Sequence, residues 1–293
     1  MTKLLRWCNL ILIFLTLLSY FSPFISPEKI WLFSFFGLLY PWFLLANFLF
    51  IVYWGIRKDR YFMFSFVCII LGWNYLIGFI GFNTASEITS EKTLNIISCN
   101  LGRVWNLRDN RNKQKHEQAK NSFFHFKKGL KDTDIFCAQE ISNHELNWFS
   151  DSLGFPYYVN YYKNVSTTFI FSKKPPLNSG MIKFQSQANS CIWADFNIYG
   201  KTVRIYNMHL QSNKISDKAN EIAKKGDLKE KETWKKVNDV LKRYKNAALI
   251  RARQAEKVAR HIALCPHPVI LCGDLNDTPL SYPYNVLSEN FRD

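Results

Sequence analysis

A chain of 293 residues with 48% hydrophobic side chains is too long for one small domain and too apolar to be disordered. Its formal charge of +15 suits anionic partners such as nucleic acid, lipid headgroups or phosphorylated small molecules. Seven cysteines form an odd set with no C-x-x-C, which excludes a disulfide framework, although one disulfide stays open in an oxidising compartment. The charge is uneven: residues 1–82 carry six Lys/Arg against two Asp/Glu, or +4, which leaves +11 for residues 83–293.

Three apolar runs come first, Leu4–Phe21, Ile30–Trp54 and Tyr61–Phe82, each near or above the ~20 residues that cross a hydrocarbon core. They predict three transmembrane helices. Lys3 and Arg6 precede the first run, and Arg57, Lys58 and Arg60 fill the loop between the second and third, while Ser22–Lys29 is nearly neutral. The positive-inside rule then places the N-terminus in the cytoplasm and everything after Phe82 on the far side of a cell (inner) membrane. A cleaved signal peptide is the alternative for the first run, but no small-x-small cleavage site follows it, so an uncleaved anchor is expected.

Residues 83–93 (NTASEITSEKT) read as a polar linker. LNIISCN (94–100) and DIFCAQE (134–140) have strand composition, with a helix expected over 113–130 between them. A helical segment is expected around Asn143–Leu153, with strands at Tyr157–Tyr162 and Thr168–Ser172. SCIWADFNIYGKTVRIYNMHL (190–210) reads as a hairpin turning near Tyr199-Gly200. Trp234, Val237, Leu241, Tyr244, Ala248, Arg251, Ala255, Val258 and Ile262 then recur at three- and four-residue steps, the apolar stripe of a long helix. Much of the basic charge lies on that stretch, between Lys214 and Arg260, where it also fits a plain solvated face. Arg251 falls on the inward stripe, either snorkelling to a carboxylate or helix end or, as the sharper expectation, binding substrate. PVILCGDLN (268–276) is the last clear strand, and strands mixed with helices indicate a layered α/β or α+β domain.

Four apolar strands thus end in Asn100, Glu140, His209 and the pair Asp274/Asn276. Singly, each is an ordinary polar strand end. If the ends converge, they form a site of two carboxylates, two amides and an imidazole. Hard oxygen ligands select Mg²⁺ or Mn²⁺ over zinc, and Mg²⁺ takes one or two carboxylates while keeping waters for a phosphate. Asp274 can orient or deprotonate an attacking water, Asn276 can hold the nucleophile, and His209 can donate to a non-bridging oxygen as charge develops. Asp277 reads as a turn residue capping backbone amides before Thr278-Pro279.

SCNLG (98–102), IFCAQE (135–140), FIFSKKPP (169–176), YNMHLQS (206–212) and CGDLNDTP (272–279), in this order, resemble the endonuclease/exonuclease/phosphatase superfamily, and in particular a membrane-anchored bacterial branch. The resemblance covers residues 94–293 and implies a four-layer α/β/β/α sandwich. It implies metal binding by Asn100 and Glu140, phosphate contact by His209, and activation of the nucleophile by Asp274 and Asn276. Ser166-Thr167-Thr168 stands where members often carry a Gly, and no closing Ser-Asp-His segment is found before Asp293. A fragment of an active enzyme, lacking its last strands, is therefore expected over an inactive relative.

The functional expectation is a membrane-anchored, Mg²⁺-dependent phosphodiesterase acting outside the cytoplasm. Its expected substrates are nucleic acid first and a phospholipid headgroup second, with residues 1–82 holding the bilayer and no protein partner implied. A non-catalytic phosphate- or lipid-binding relative is the competing class, and a purely structural membrane protein is disfavoured by the ordered motifs.

Overall fold

The computed structural model describes residues 2–80, 92–102, 118, 121–122, 125–141, 153–161, 167–185, 189–226, 229–289 and 291. Most of the linker 83–93, much of the helix expected over 113–130, nearly all of the segment Asn143–Leu153, Ser166 and Asp293 lie outside them. The chain divides into two compact units, one of residues 1–86, 211–256 and 276–293, the other of residues 87–210 and 257–275.

The first unit opens with α1 (Thr2–Ser19), α2 (Pro27–Ile56), α3 (Phe62–Leu71) and α4 (Trp73–Ile80). Helices α1 and α2 are each long and apolar enough to cross a membrane, while α3 and α4 make a third candidate span only as a pair bent by 72°. The bend falls at Gly72, where a Cβ would run into the Tyr20 ring. The burial pattern is inverted relative to a soluble bundle. Leu4, Trp7, Phe14, Trp42, Phe48 and Leu71 are more than half exposed, whereas Asn9, Thr16, Asn47 and Ser65 are fully buried. Those buried groups bond across helices: Asn9 Nδ2 donates to Ser65 Oγ (2.7 Å), Trp54 Nε1 to Asn9 Oδ1 (3.2 Å) and Asn47 Nδ2 to Thr16 Oγ1 (2.9 Å). Polar contacts inside and apolar side chains outside are what packing in an apolar solvent selects. Arg6 pairs with Asp59 at 2.7 Å, so the start of α1 and the α2–α3 loop lie at one end of the bundle.

The same unit contains α5 (Ser216–Lys225), α6 (Lys231–Ala263) as far as Glu256, and α7 (Tyr282–Ser288). Tyr244, Ala248, Arg251 and Ala255 are buried along α6, as the stripe required, and Ala252 is buried beside them. Trp234 departs from it and is 56% exposed, because its neighbour Thr233 takes the inward position. Tyr244 donates its hydroxyl to the carbonyl of Ser34 on α2 (2.7 Å), and Arg253 pairs with Glu28.

The second unit is built on two four-stranded sheets. One has the order β1 (Ile96–Asn100), β2 (Ile135–Ile141), β4 (Thr167–Ser172), β3 (Tyr157–Val159). The other runs β5 (Asn178–Ile182), β6 (Ser190–Ile198), β7 (Lys201–His209), β8 (Val269–Asp274). Alternation along β2 explains its unbroken apolar run. Ile135 and Cys137 point into a core with Ile192, Ala194 and Ile205 of the facing sheet, whereas Phe136 and Ala138 point the other way, toward Leu130, Phe155 and Phe171. Phe126, in the helical residues 125–129, covers that outer face. On the far side, His261 of α6 lies against Trp193 and Tyr206 of the second sheet. The layers therefore run helix, sheet, sheet, helix.

Candidate active site

Two parallel strand pairs set the site. Strand β1 runs beside β2 with Asn100 opposite Gln139, and β7 runs beside β8 with His209 opposite Asp274. Parallel neighbours finish at the same edge, so each sheet delivers two polar strand ends together. Asn100 then bridges the sheets, its Nδ2 donating to Glu140 Oε1 at 3.2 Å and to Asp274 Oδ2 at 2.6 Å. Its Oδ1 is occupied by the N–H of Gly102 at 2.8 Å. His209 Nε2 lies 3.5 Å from Glu140 Oε1. Asn100, Glu140, His209 and Asp274, from four separate stretches of sequence, thus meet where the strand ends of the two sheets come together.

The backbone is bent to make this possible. Glu140 sits at φ 61°, in the left-handed region that residues other than Gly, Asn and Asp rarely adopt, at a break in the β2–β4 register between Ala138 and Ile141. The break takes residue 140 out of the ladder and turns its side chain toward the other sheet's residues. Gly273 has φ 139°, and a Cβ there would collide with the Met208 carbonyl oxygen and lie 2.7 Å from the Met208 nitrogen. Only glycine lets β8 approach β7 this closely one residue before Asp274.

Beneath the four lies a polar layer that sequence reasoning did not single out. Gln139 Nε2 donates to Asn207 Oδ1 (2.6 Å), and Asn207 Nδ2 donates to the carbonyls of Ala138 (2.9 Å) and Phe169 (2.8 Å). Both amides are at most 1% exposed, so their hydrogen bonds are made inside the protein. The available signal was a polar residue inside an apolar strand, Gln139 in IFCAQE and Asn207 in YNMH.

His209 is 6% exposed, and neither ring nitrogen has a hydrogen-bond partner among the described residues. Burial pushes its pKa below the ordinary histidine value, and the Asp274 and Glu140 charges oppose this without reversing it. The ring is therefore neutral at pH 7, and its 3.5 Å approach to Glu140 is not an ion pair. A buried neutral imidazole with an unpaired N–H is prepared to donate to an incoming oxygen.

Among the described residues no three His, Cys, Asp or Glu side chains are grouped to hold a metal ion. The donor set is two carboxylates and one amide. Those oxygen donors fit a hard cation of the Mg²⁺ or Mn²⁺ type, which needs few protein ligands. The Asn100 NH₂ lies between the two carboxylates, while its Oδ1, the amide atom able to ligate a cation, accepts from the Gly102 N–H.

Residues 99–293 match the Endonuclease/Exonuclease/phosphatase family. The chain belongs to this family. The members are phosphoester hydrolases, and the two-sheet domain is their fold. Residues 2–79 match a domain of unknown function, DUF8431. Among curated proteins there is no match. Similar solved structures include sphingomyelinase C from Streptomyces griseocarneus, 16% identical over 67% of this chain and 68% of that one, with a TM-score of 0.45. An endonuclease/exonuclease/phosphatase family protein from Bacteroides thetaiotaomicron is 17% identical over 67% and 68%, TM-score 0.44. TDP2 from D. rerio, complexed with a single-strand DNA product, is 18% identical over 66% of this chain and 64% of that one, TM-score 0.42. At these scores the likenesses carry no argument of their own, and membership rests on the family match.

Two further sequence candidates fall in the other compact unit. Asn276 lies two residues past Asp274 at φ 54°. Arg251 is 0% exposed. Its Nε donates to Asp277 Oδ2 (2.9 Å) and its Nη1 to the Gln211 carbonyl (3.0 Å) and Asn213 Oδ1 (2.6 Å). Of its two sequence readings, the structure bears out the carboxylate partner and leaves no exposed surface for a ligand. Asp277 also accepts from the N–H of Thr278 (3.0 Å), the turn role expected of it.

Proposed function

We propose that the chain is a membrane-anchored, Mg²⁺-dependent phosphodiesterase acting outside the cytoplasm. The observation that carries this reading is the Asn100 amide held between Glu140 and Asp274, with neutral His209 against the same carboxylate. Glu140 and Asn100, the latter through Oδ1, would hold the ion, whose chemistry is to neutralise phosphate charge and polarise the phosphorus–oxygen bond. Asp274 accepts the proton of the attacking water, Asn276 orients that water, and His209 donates to the non-bridging oxygen as charge grows in the transition state. With little covalent work to do, positioning supplies most of the rate.

Residues 1–82 are the anchor of three spans, 83–93 a linker and 94–293 the hydrolase domain. The N-terminus and the Arg57–Arg60 loop face the cytoplasm, a reading supported by five basic residues at the end of the bundle where Arg6 meets Asp59. Nucleic acid is the first substrate class, because +11 over residues 83–293 favours polyanions. A phospholipid headgroup is the second, favoured by the apolar bundle.

The test uses the full chain purified in detergent and offered plasmid DNA, RNA and headgroup-labelled phospholipid vesicles, with Mg²⁺ or with EDTA. Cleavage should need Mg²⁺ and vanish in Asp274→Ala and Glu140→Gln. Cleavage that survives both EDTA and Asp274→Ala defeats the mechanism. Mg²⁺-dependent phosphate binding without turnover points instead to a non-catalytic binding relative.

A further inference from the structure

Arg251 is the only arginine among the fully buried side chains of the described residues, and it faces no open surface. What it touches is informative. Two helical neighbours hold the same backbone: Arg251 Nη1 donates to the Gln211 carbonyl, and Gln254 Oε1 accepts the Gln211 N–H at 2.9 Å. Asn213 Oδ1 is gripped by the same nitrogen. On its other side Arg251 ties down Asp277, the residue that follows Asn276. Asn276 holds a left-handed conformation (φ 54°), which asparagine adopts more readily than other non-glycine residues and which directs the chain into Asp277.

The loop has a second support. Thr278 Oγ1 donates to the carbonyl of Gly37 on α2 (3.4 Å). A Cβ at Gly37 would collide with the Leu280 carbonyl, so the backbones of α2 and of this loop are in direct contact. Helix α6 meets α2 as well, through Tyr244 and Ser34.

We propose that Arg251 is a positioning residue and that α2 works alongside it. Together they hold the Asn276–Leu280 loop, so the apolar bundle is part of the scaffold of the catalytic loop and more than a tether. The inference rests on the reading of Asn276 as the residue that orients the nucleophile. A guanidinium suits this role, since its rigid fork grips an acceptor on each side, whereas a lysine offers one point charge.

Two variants of the full chain in detergent test it. Arg251→Met with Asp277→Leu replaces a buried ion pair by apolar side chains, an exchange that proteins often tolerate without loss of stability. Gly37→Ala improves helix propensity, so any loss it causes comes from the added methyl meeting the Leu280 carbonyl and the Ser22 side chain, of which only the carbonyl is fixed backbone. Both should raise amide exchange in residues 211–213 and 276–280 at least about tenfold, with α1 and α3 unchanged. On bis(p-nitrophenyl) phosphate, kcat should fall about 100-fold at nearly constant KM, the usual cost of a misplaced group. Unchanged exchange in those two segments overturns the proposal, as does acceleration spread evenly over the whole unit. If wild-type protein cleaves no phosphodiester, the functional reading fails, and the exchange data still decide the scaffold.

Discussion

Asn207→Ala should unlock the two sheets beneath the site. The substitution removes two donated hydrogen bonds, to the Ala138 and Phe169 carbonyls, and the acceptor of Gln139 Nε2. A buried hydrogen bond contributes about 1 kcal/mol, and an orphaned buried partner costs about 1–3 kcal/mol more. Gln139 keeps its 3.2 Å contact to Ser98 Oγ, which softens its loss. The sum is a destabilisation of about 2–4 kcal/mol, at the upper end for a single change. Native-state hydrogen exchange is the suitable assay, since it reads β2 and β7 separately from the helical bundle. Their slowest amides should exchange about 30- to 1,000-fold faster, the equivalent of that free energy. Gln139→Ala added to Asn207→Ala should cost much less than it does alone, because the partner is already gone. An acceleration below about fivefold would mean that the pair is solvated or replaceable, and the inter-sheet lock would be wrong.

Gly273→Ala combines a left-handed φ with a collision against the Met208 backbone, which no rotamer can relieve, so it should cost several kcal/mol and lower the melting midpoint sharply. His261 accepts from or donates to the Tyr206 hydroxyl at 2.8 Å, and burial, aided by the Arg204 charge, pushes its pKa below the usual value. Its contribution to stability is therefore intact above about pH 6.5 and lost as pH falls through the lowered folded value, so His261→Gln should flatten the acid limb of a melting-versus-pH profile. Asp274→Asn keeps the hydrogen-bonding shape but cannot take a proton, so turnover should fall at least about 100-fold with melting nearly unchanged. Chelation of divalent ions should abolish turnover in the wild type and add nothing to the residual rate of that variant.

Much of the domain could be read from the chain because strands buried on both faces leave an unmistakable mark. IFCA in β2 and VILC in β8 are unbroken apolar runs, and each ends abruptly in polar groups where the strand leaves the core. The long helix was equally plain, since Tyr244, Ala248, Arg251 and Ala255 repeat at its period. Trp234 was misplaced by one position because a large aromatic ring draws the apolar stripe to itself, although the helix turned Thr233 inward. Glu140 shows a different limit. Its acid was visible at the strand end, but the left-handed turn that presents it depends on a register break with β4, whose sequence lies nearly thirty residues away.

By itself, then, the sequence determined most of the elements, though not β5 or α7, together with the family and the polar strand ends, because periodicity and motif are local properties of the chain. Tertiary structure alone decided which of those ends meet. Asn100 and Asp274 are separated by 174 positions, and only parallel pairing within each sheet and packing between sheets bring them to 2.6 Å. The partner of Arg251 was open for the same reason. A buried guanidinium must find a carboxylate, but which one depends on what the fold places within reach.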